Sequence, residues 1–295
     1  MPELPEVETV ATALRACLLG RRLDGIRVRF AGSLKPSPRA ARKALLGKTL
    51  TAVRRHGKYI FLDFAVVSRD TAAARRAPAA GAEAIAEAPP ADTQLMLHLR
   101  MTGQVFVRPD YKPDKHLRLI FDFEGWPVFY RDMRKFGGFV LLPGAPGIAA
   151  IPHVGPDMLQ VSFSEWRKRM GKRRASLKSL LLHQGIAAGV GNIYADEALH
   201  MSGIHPLVSP ILIDDDRLKV LYSNVRKILR QAIRGGGTTY QDFVDFAGKP
   251  GNFKQKLRVY GRDGEACGVC GVEIVKLKIA GRSAHFCPEC QGAEP

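Results

Sequence analysis

Four cysteines carry the plainest chemistry in this chain. Cys267 and Cys270 stand three positions apart, and after sixteen intervening residues Cys287 and Cys290 repeat the spacing. Two thiolates so spaced can grip one Zn2+ from a tight turn, and a second pair completes a tetrahedron. Gly268, Gly271 and Pro288 suit those turns. Four sulfurs leave no open coordination position, so one structural zinc per chain is expected. The strand between the pairs, Ile274–Ile279, would belong to a hairpin presenting Arg282 near its end.

A second pattern is the run RKRMGKRRASLK at 167–178, with seven basic residues and no acid. It leads into SLKSLLLHQ, the turn GIAAGVG and the helical stretch NIYADEALH. Asn192 is placed to cap the second helix, and free amides at a helix start suit an anion. The arrangement reads as a phosphate clamp; the plainer alternative is a solvated charged face. The third pattern is the start, MPELPEVE. Removal of Met1 would expose the secondary amine of Pro2, which can condense with a masked aldehyde to an iminium. An α-amine is less protonated at neutral pH than a lysine, and Glu3 beside it can exchange protons. Many proteins begin this way, so the pattern alone decides little.

These groups need elements to hold them. A helix is expected from about Glu6 to Leu19, with Val7, Val10, Leu14 and Leu18 on one face and Gly20 ending it. The period then changes to two, with strands at 23–30, 50–55, 59–64, 94–99, 104–108, 117–123, 127–131 and 139–142. Short strands separated by Gly and Pro indicate a β-sandwich or barrel. Residues 65–93 are rich in Ala and Pro with almost no large apolar side chain, and read as a flexible surface insertion. After a Gly/Pro linker at 143–156, helices are expected at 164–169, 176–183, 193–201 and 215–234. The resulting class is α+β with two domains. The expected divisions are 1–145, the N-terminal β-sandwich with its helix, then 146–256, helical and carrying the phosphate clamp, and 257–295, the zinc finger.

Composition narrows the partners. Forty-five Lys and Arg against 28 Asp and Glu leave a net charge of +17, which favours a polyanion because each phosphate contact releases condensed counterions. No apolar run reaches the length of a membrane span, and the acidic, Pro-rich start is wrong for a secretory signal. A cytoplasmic protein is expected. Four of the five cysteines sit in the two pairs, so no disulfide framework is indicated, and Cys17 falls on the apolar face of the first helix.

Together these residues resemble the formamidopyrimidine-DNA glycosylase family. The matching segments are MPELPEVETV, HGKY at 56–59, H-L-x-MTG at 98–103, DMRKFGG at 132–138, GVGNIYADEAL at 189–199, GGGTTYQDF at 235–243, GKPGNF at 248–253 and VYGRDGEAC at 259–267. The resemblance implies a β-sandwich followed by a helix–two-turns–helix domain and zinc finger, with duplex DNA in the cleft between domains and an oxidised purine flipped from the stack. It implies a bifunctional bacterial glycosylase and abasic-site lyase, acting as a monomer.

By the same resemblance Pro2 is the Schiff-base nucleophile and Glu3 the general acid/base. Lys58 bridges phosphates and protonates during β-elimination, and Arg282 contacts phosphate and assists δ-elimination. Asn192 binds backbone phosphate, with Arg174 and His116 as further DNA contacts. Glu197 is the pocket acid behind the flipped base, and Met101, Arg134 and Phe136 fill the gap and probe the opposite cytosine. Arg100 stands where the family usually has Gly, which puts the shape of the Met101 loop in question. The rivals are an endonuclease VIII-like glycosylase for oxidised pyrimidines and a non-catalytic protein that binds damaged DNA.

Overall fold

The computed structural model describes residues 1–68, 90–107, 111–238 and 251–292. Contacts divide the chain into two compact units, each with its own core. The first contains Met1–Pro2, Glu6–Ile151 and Thr238–Gly251; the second contains Glu3–Pro5, Pro152–Gly237 and Asn252–Pro295.

The first unit is a sandwich. Helix α1 (Leu4–Leu18) precedes β1 (Leu23–Val28), β2 (Leu34–Lys35), α2 (Pro38–Leu45), β3 (Thr49–His56), β4 (Tyr59–Ala65), β5 (Thr93–His98), β6 (Gly103–Phe106), β7 (Leu117–Phe123), β8 (Trp126–Asp132) and β9 (Gly138–Pro143). One sheet has the order β1-β7-β8-β6 and the other β2-β9-β5-β4-β3. Every pairing is antiparallel except β2 with β9. Alternate residues such as Val53, Leu95, Leu97, Leu119 and Phe121 turn inward and share one core with Val7, Val10, Leu14 and Leu18 of α1.

The expected strands lie within about two residues of the observed ones. Helix α2 and strand β2 were not expected from periodicity. The helix begins at Ser37, whose side chain accepts the Ala40 amide, with Pro38 in the first turn. That cap signal is visible in the sequence, but eight residues are too few to show a helical period. The 65–93 insertion starts where β4 ends; its residues 69–89 lie outside the described residues, as do 239–250 within the GGGTTYQDF and GKPGNF segments.

The second unit contains α3 (Phe163–Met170), α4 (Leu177–Leu182), α5 (Asn192–Met201), α6 (Asp215–Arg234) and the hairpin β10 (Val275–Ile279) with β11 (Arg282–Phe286). Ser162, Ser176 and Asp214 cap α3, α4 and α6 by accepting backbone amides. Trp166, Tyr194 and Phe253 fill the core between the helices. No described helix is long and apolar enough to cross a membrane.

Candidate active site and metal centre

The start of the chain is fastened to α5 by its third and fourth residues. The Leu4 amide donates to the Gly189 carbonyl (3.1 Å), and the Ile193 amide donates to Glu3 Oε1 (3.0 Å). Glu3 therefore supplies the anionic cap of α5, where amides and helix dipole favour a carboxylate. This corrects the expectation that Asn192 caps the helix. The N-cap is Gly191, and Asn192 Nδ2 instead donates to Ser283 Oγ (3.2 Å). It also explains the GVG turn. A Cβ on Gly191 would lie 2.3 Å from Glu3 Cδ, and one on Gly189, whose φ is 115°, would lie 2.4 Å from Leu4 Cδ1. The glycines make room for the chain terminus rather than for a phosphate. Pro2, adjacent to Glu3, is buried with Met1 attached.

In the sandwich unit Lys58 occupies the two-residue turn between β3 and β4, after Gly57 with φ 56°. It is buried, 5% exposed, an unusual setting for a lysine. The strand beside it carries His98, whose ring meets Tyr59 edge-on at 4.5 Å. His98 Nδ1 accepts the Arg100 amide (2.9 Å), and Arg100 adopts φ 54°. That is the left-handed region, where glycine fits without penalty. Arg100 at this site thus keeps the turn's backbone with the help of the His98 acceptor.

Burial, reinforced by the Arg100 and Lys58 charges, pushes the His98 imidazolium from 6.5 down to about 3. The unfolded chain therefore binds an extra proton between those values. Stability present above pH 6.5 is lost as pH falls toward 3, by about 2 kcal/mol at pH 5. In His98→Asn the amide oxygen can take the Nδ1 place, so its unfolding free energy should fall less steeply between pH 7 and 5 than that of wild type. Parallel slopes in denaturant titrations would refute this.

Met101 follows this turn, and the loop between β8 and β9 carries Arg134 and Phe136. Asp132, fully buried, binds the two together. Its carboxylate accepts Thr102 Oγ1 (2.5 Å), the Gly137 amide (2.9 Å), the Arg134 amide (3.2 Å) and the Tyr130 hydroxyl (3.3 Å). Thr102 Oγ1 also accepts the Arg134 amide (3.0 Å). Phe136 is 59% exposed, and the Arg134 guanidinium lies 4.7 Å over its ring. The structure so brings Met101, Arg134 and Phe136 onto adjoining loops with an aromatic ring held outward. Asp132 stood within the DMRKFGG segment, but nothing in sequence marks the donors that converge on it. His116 precedes β7, where Asp114 accepts its amide (2.9 Å).

In the second unit the four cysteine sulfurs lie within 4.8 Å of one another. A tetrahedron with Zn–S bonds of about 2.3 Å has sulfurs about 3.8 Å apart, and the Cys267–Cys290 and Cys270–Cys287 separations are 3.8 and 3.4 Å. All four residues fit one zinc ion, which would be structural. Gln291 holds the second knuckle to the helices: its Oε1 accepts the Cys287 amide and its Nε2 donates to the Ile204 carbonyl. His200 Nε2 lies 3.6 Å from Cys267 Sγ, with no hydrogen-bond partner for Nδ1 among the described residues. Arg282 begins β11, after the Ala280–Gly281 turn.

Two expectations change here. Both Glu197 oxygens are occupied by the backbone amides of Arg258, Val259 and Tyr260 at 2.9–3.0 Å. The carboxylate organises the approach to the zinc finger instead of facing a base. The basic run is also less open than its composition suggested. Arg167 pairs with Asp215, Arg169 with Glu165, and Lys178 is buried against Asp196. Burial pulls the Lys178 ammonium below the ordinary lysine value, against the opposing pull of Asp196 and Glu3. Lys168, Lys172, Arg173 and Arg174 remain exposed.

Known proteins match this arrangement along its length. Residues 1–139 match the formamidopyrimidine-DNA glycosylase N-terminal domain, 154–244 its H2TH domain, and 264–292 a zinc finger found in FPG and IleRS. Formamidopyrimidine-DNA glycosylases of Ligilactobacillus salivarius and Heliobacterium modesticaldum are 34% and 35% identical, each over 99% of this chain and at least 99% of the relative. Among solved structures, Lactococcus lactis Fpg with abasic-site DNA aligns at TM-score 0.84 and 31% identity, covering 98% of this chain and 99% of that one. A MutM complex with DNA containing carbocyclic 8-oxo-G aligns at TM-score 0.83 and 30% identity.

Proposed function

The chain belongs to the formamidopyrimidine-DNA glycosylase family, and from that we propose that Pro2, Glu3, Lys58 and Arg282 carry out its two reactions. It is a DNA glycosylase and abasic-site lyase for oxidised purines, with 8-oxoguanine and formamidopyrimidines as substrates and one structural zinc. The observation that carries the residue assignment is the placement of Glu3. The residue next to the nucleophile has its carboxylate bound at the positive end of α5, so its position is set before DNA arrives.

In the proposed sequence the Pro2 nitrogen attacks C1′, and the base leaves with the electron pair of its glycosidic bond. Glu3 exchanges protons with the sugar as the ring opens and the iminium forms. The iminium acidifies C2′–H; loss of that proton expels the 3′ phosphate, and a second elimination expels the 5′ phosphate. Lys58 protonates during the first elimination and Arg282 meets the phosphate leaving in the second. Exposed Phe136, with Met101 and Arg134, fills the vacated stack, an apolar wedge offsetting unstacking of roughly a few kcal/mol. Asn192, Arg174 and His116 are proposed as backbone contacts. The protein is proposed to act as a monomer in the bacterial cytoplasm, since one chain carries every group used.

Borohydride trapping on an 8-oxoguanine:C duplex tests the nucleophile. Reduction should fix the iminium as a covalent adduct, and mass spectrometry should place it on Pro2 after loss of Met1. A protein with its N-terminus blocked should not trap. A crosslink confined to an internal lysine would overturn the assignment. One L. lactis FPG structure holds DNA with an oxidised pyrimidine, so thymine glycol belongs in the same assay, and faster excision of thymine glycol would reverse the substrate order.

A further inference from the structure

We infer that Asp196 is a positioning residue for strand cleavage, fixing the β10–β11 hairpin from inside α5 so that Arg282 and Asn192 form one preset phosphate site. The inference rests on the proposed role of Arg282 and extends it to the residues that place that side chain.

Asp196 and Lys178 have no exposed side-chain surface. Asp196 Oδ1 accepts Lys178 Nζ (2.5 Å), and Oδ2 accepts the His285 amide (3.0 Å) with His285 Nδ1 at 3.2 Å. The same Lys178 ammonium donates to the Ser283 carbonyl, and Asn192 donates to Ser283 Oγ. Ser283 and His285 lie one and three residues beyond Arg282 on β11. Three side chains from α4 and α5 therefore hold the strand directly after the functional arginine.

The hairpin needs such a hold. It is a two-strand sheet, which has little stability by itself, and its outward residues Lys276, Leu277 and Lys278 are exposed. The cysteine pairs anchor the ends of the finger, whereas the Ala280–Gly281 turn lies at the far tip of the strands. Stability alone does not account for a buried ion pair here, because apolar residues of similar volume often do as well or better. An ion pair satisfied at both ends does admit one register of the strand against the helices. Asp196 also precedes Glu197, which holds residues 258–260, so a single turn of α5 grips both the approach to the finger and β11 at His285, while Lys178 holds Ser283 nearer the tip.

The test is Lys178→Met with Asp196→Leu, which removes both charges and leaves neither stranded. The protein should remain folded with one zinc by metal analysis. On abasic-site duplex the ratio of δ- to β-elimination product should fall roughly ten- to a hundredfold, as displacement of a catalytic group by an ångström predicts, with a smaller change in KM than in kcat. Adding Arg282→Ala should then lower the ratio no further. A folded, zinc-loaded double variant with the wild-type ratio overturns the inference if Arg282→Ala alone lowers it. If Arg282→Ala also leaves it unchanged, the reading of Arg282 falls, and the inference with it. Should the apolar pair not fold, Asp196→Asn keeps the shape while removing the charge, and the same ratio decides.

Discussion

Gly191→Ala should reduce single-turnover excision of 8-oxoguanine by roughly a hundredfold, although the residue contributes no functional group. The added methyl would stand 2.3 Å from Glu3 Cδ and 2.5 Å from Oε1, distances no side chain tolerates. The helix start cannot retreat, because Ile193, Tyr194 and Ala195 behind it are buried in the helical core. Glu3 must therefore give way, losing the Ile193 amide and the favourable end of α5. A carboxylate displaced by an ångström beside the reacting sugar no longer exchanges protons at the right atom. Zinc content and binding of an uncleavable abasic analogue should stay near wild type, which separates this from unfolding. Glu3→Asp, one methylene shorter, should restore part of the rate in the Gly191→Ala background while slowing the wild type. Wild-type excision by Gly191→Ala would show that the Glu3–α5 contact has no part in the reaction.

Asp132→Ala should lower excision from duplex DNA by about ten- to a hundredfold and weaken discrimination between cytosine and adenine opposite the lesion. Four donors converge on that carboxylate, and each one left unpaired in a buried place costs about 1–3 kcal/mol. The loops relieve the cost by opening, which removes the link between Thr102 and the Arg134–Phe136 segment. Asp132→Asn should be only partly better, since its NH2 group must face a donor. Arg134→Ala should relax the cytosine-to-adenine rate ratio in the same direction, because a guanidinium can donate to the cytosine edge but meets a donor on adenine. Single-turnover rates on 8-oxoguanine:C and 8-oxoguanine:A duplexes check both. An unchanged ratio in Asp132→Ala and Arg134→Ala would move opposite-base reading elsewhere.

The sequence was most legible where chemistry is local. The spacing of Cys267, Cys270, Cys287 and Cys290 indicates a metal because each pair closes over a few bonds, and the structure gathers all four sulfurs. Alternation likewise marks β9, buried at every second residue, whereas β4 and β7 are buried almost throughout and show in the sequence as short apolar runs. What it concealed are bonds between distant positions. Asn192 looked like a cap because its neighbours are glycines, yet the cap comes from Glu3, 190 positions before the Ile193 amide that it accepts. Lys178 belonged to a basic run by composition and to a buried ion pair by fold. Asp132, His98 and Asp196 carry no local mark, since an isolated Asp or His is defined by the donors that meet it. The resemblance indicated which segments matter; their hydrogen bonds show how Arg100 keeps a turn usually built with glycine.

The fit of Gly191 against Glu3 also bears on how such a protein can drift. Residues 3 and 191 occupy one volume, so the freedom of each to vary depends on the other. In a saturation mutagenesis screen for suppression of mutations, position 191 should be as intolerant as a reacting residue, and its alanine allele should look catalytically dead while folded and zinc-loaded. Suppressors of that allele should map to position 3, far away in the gene, because that is where the space was taken.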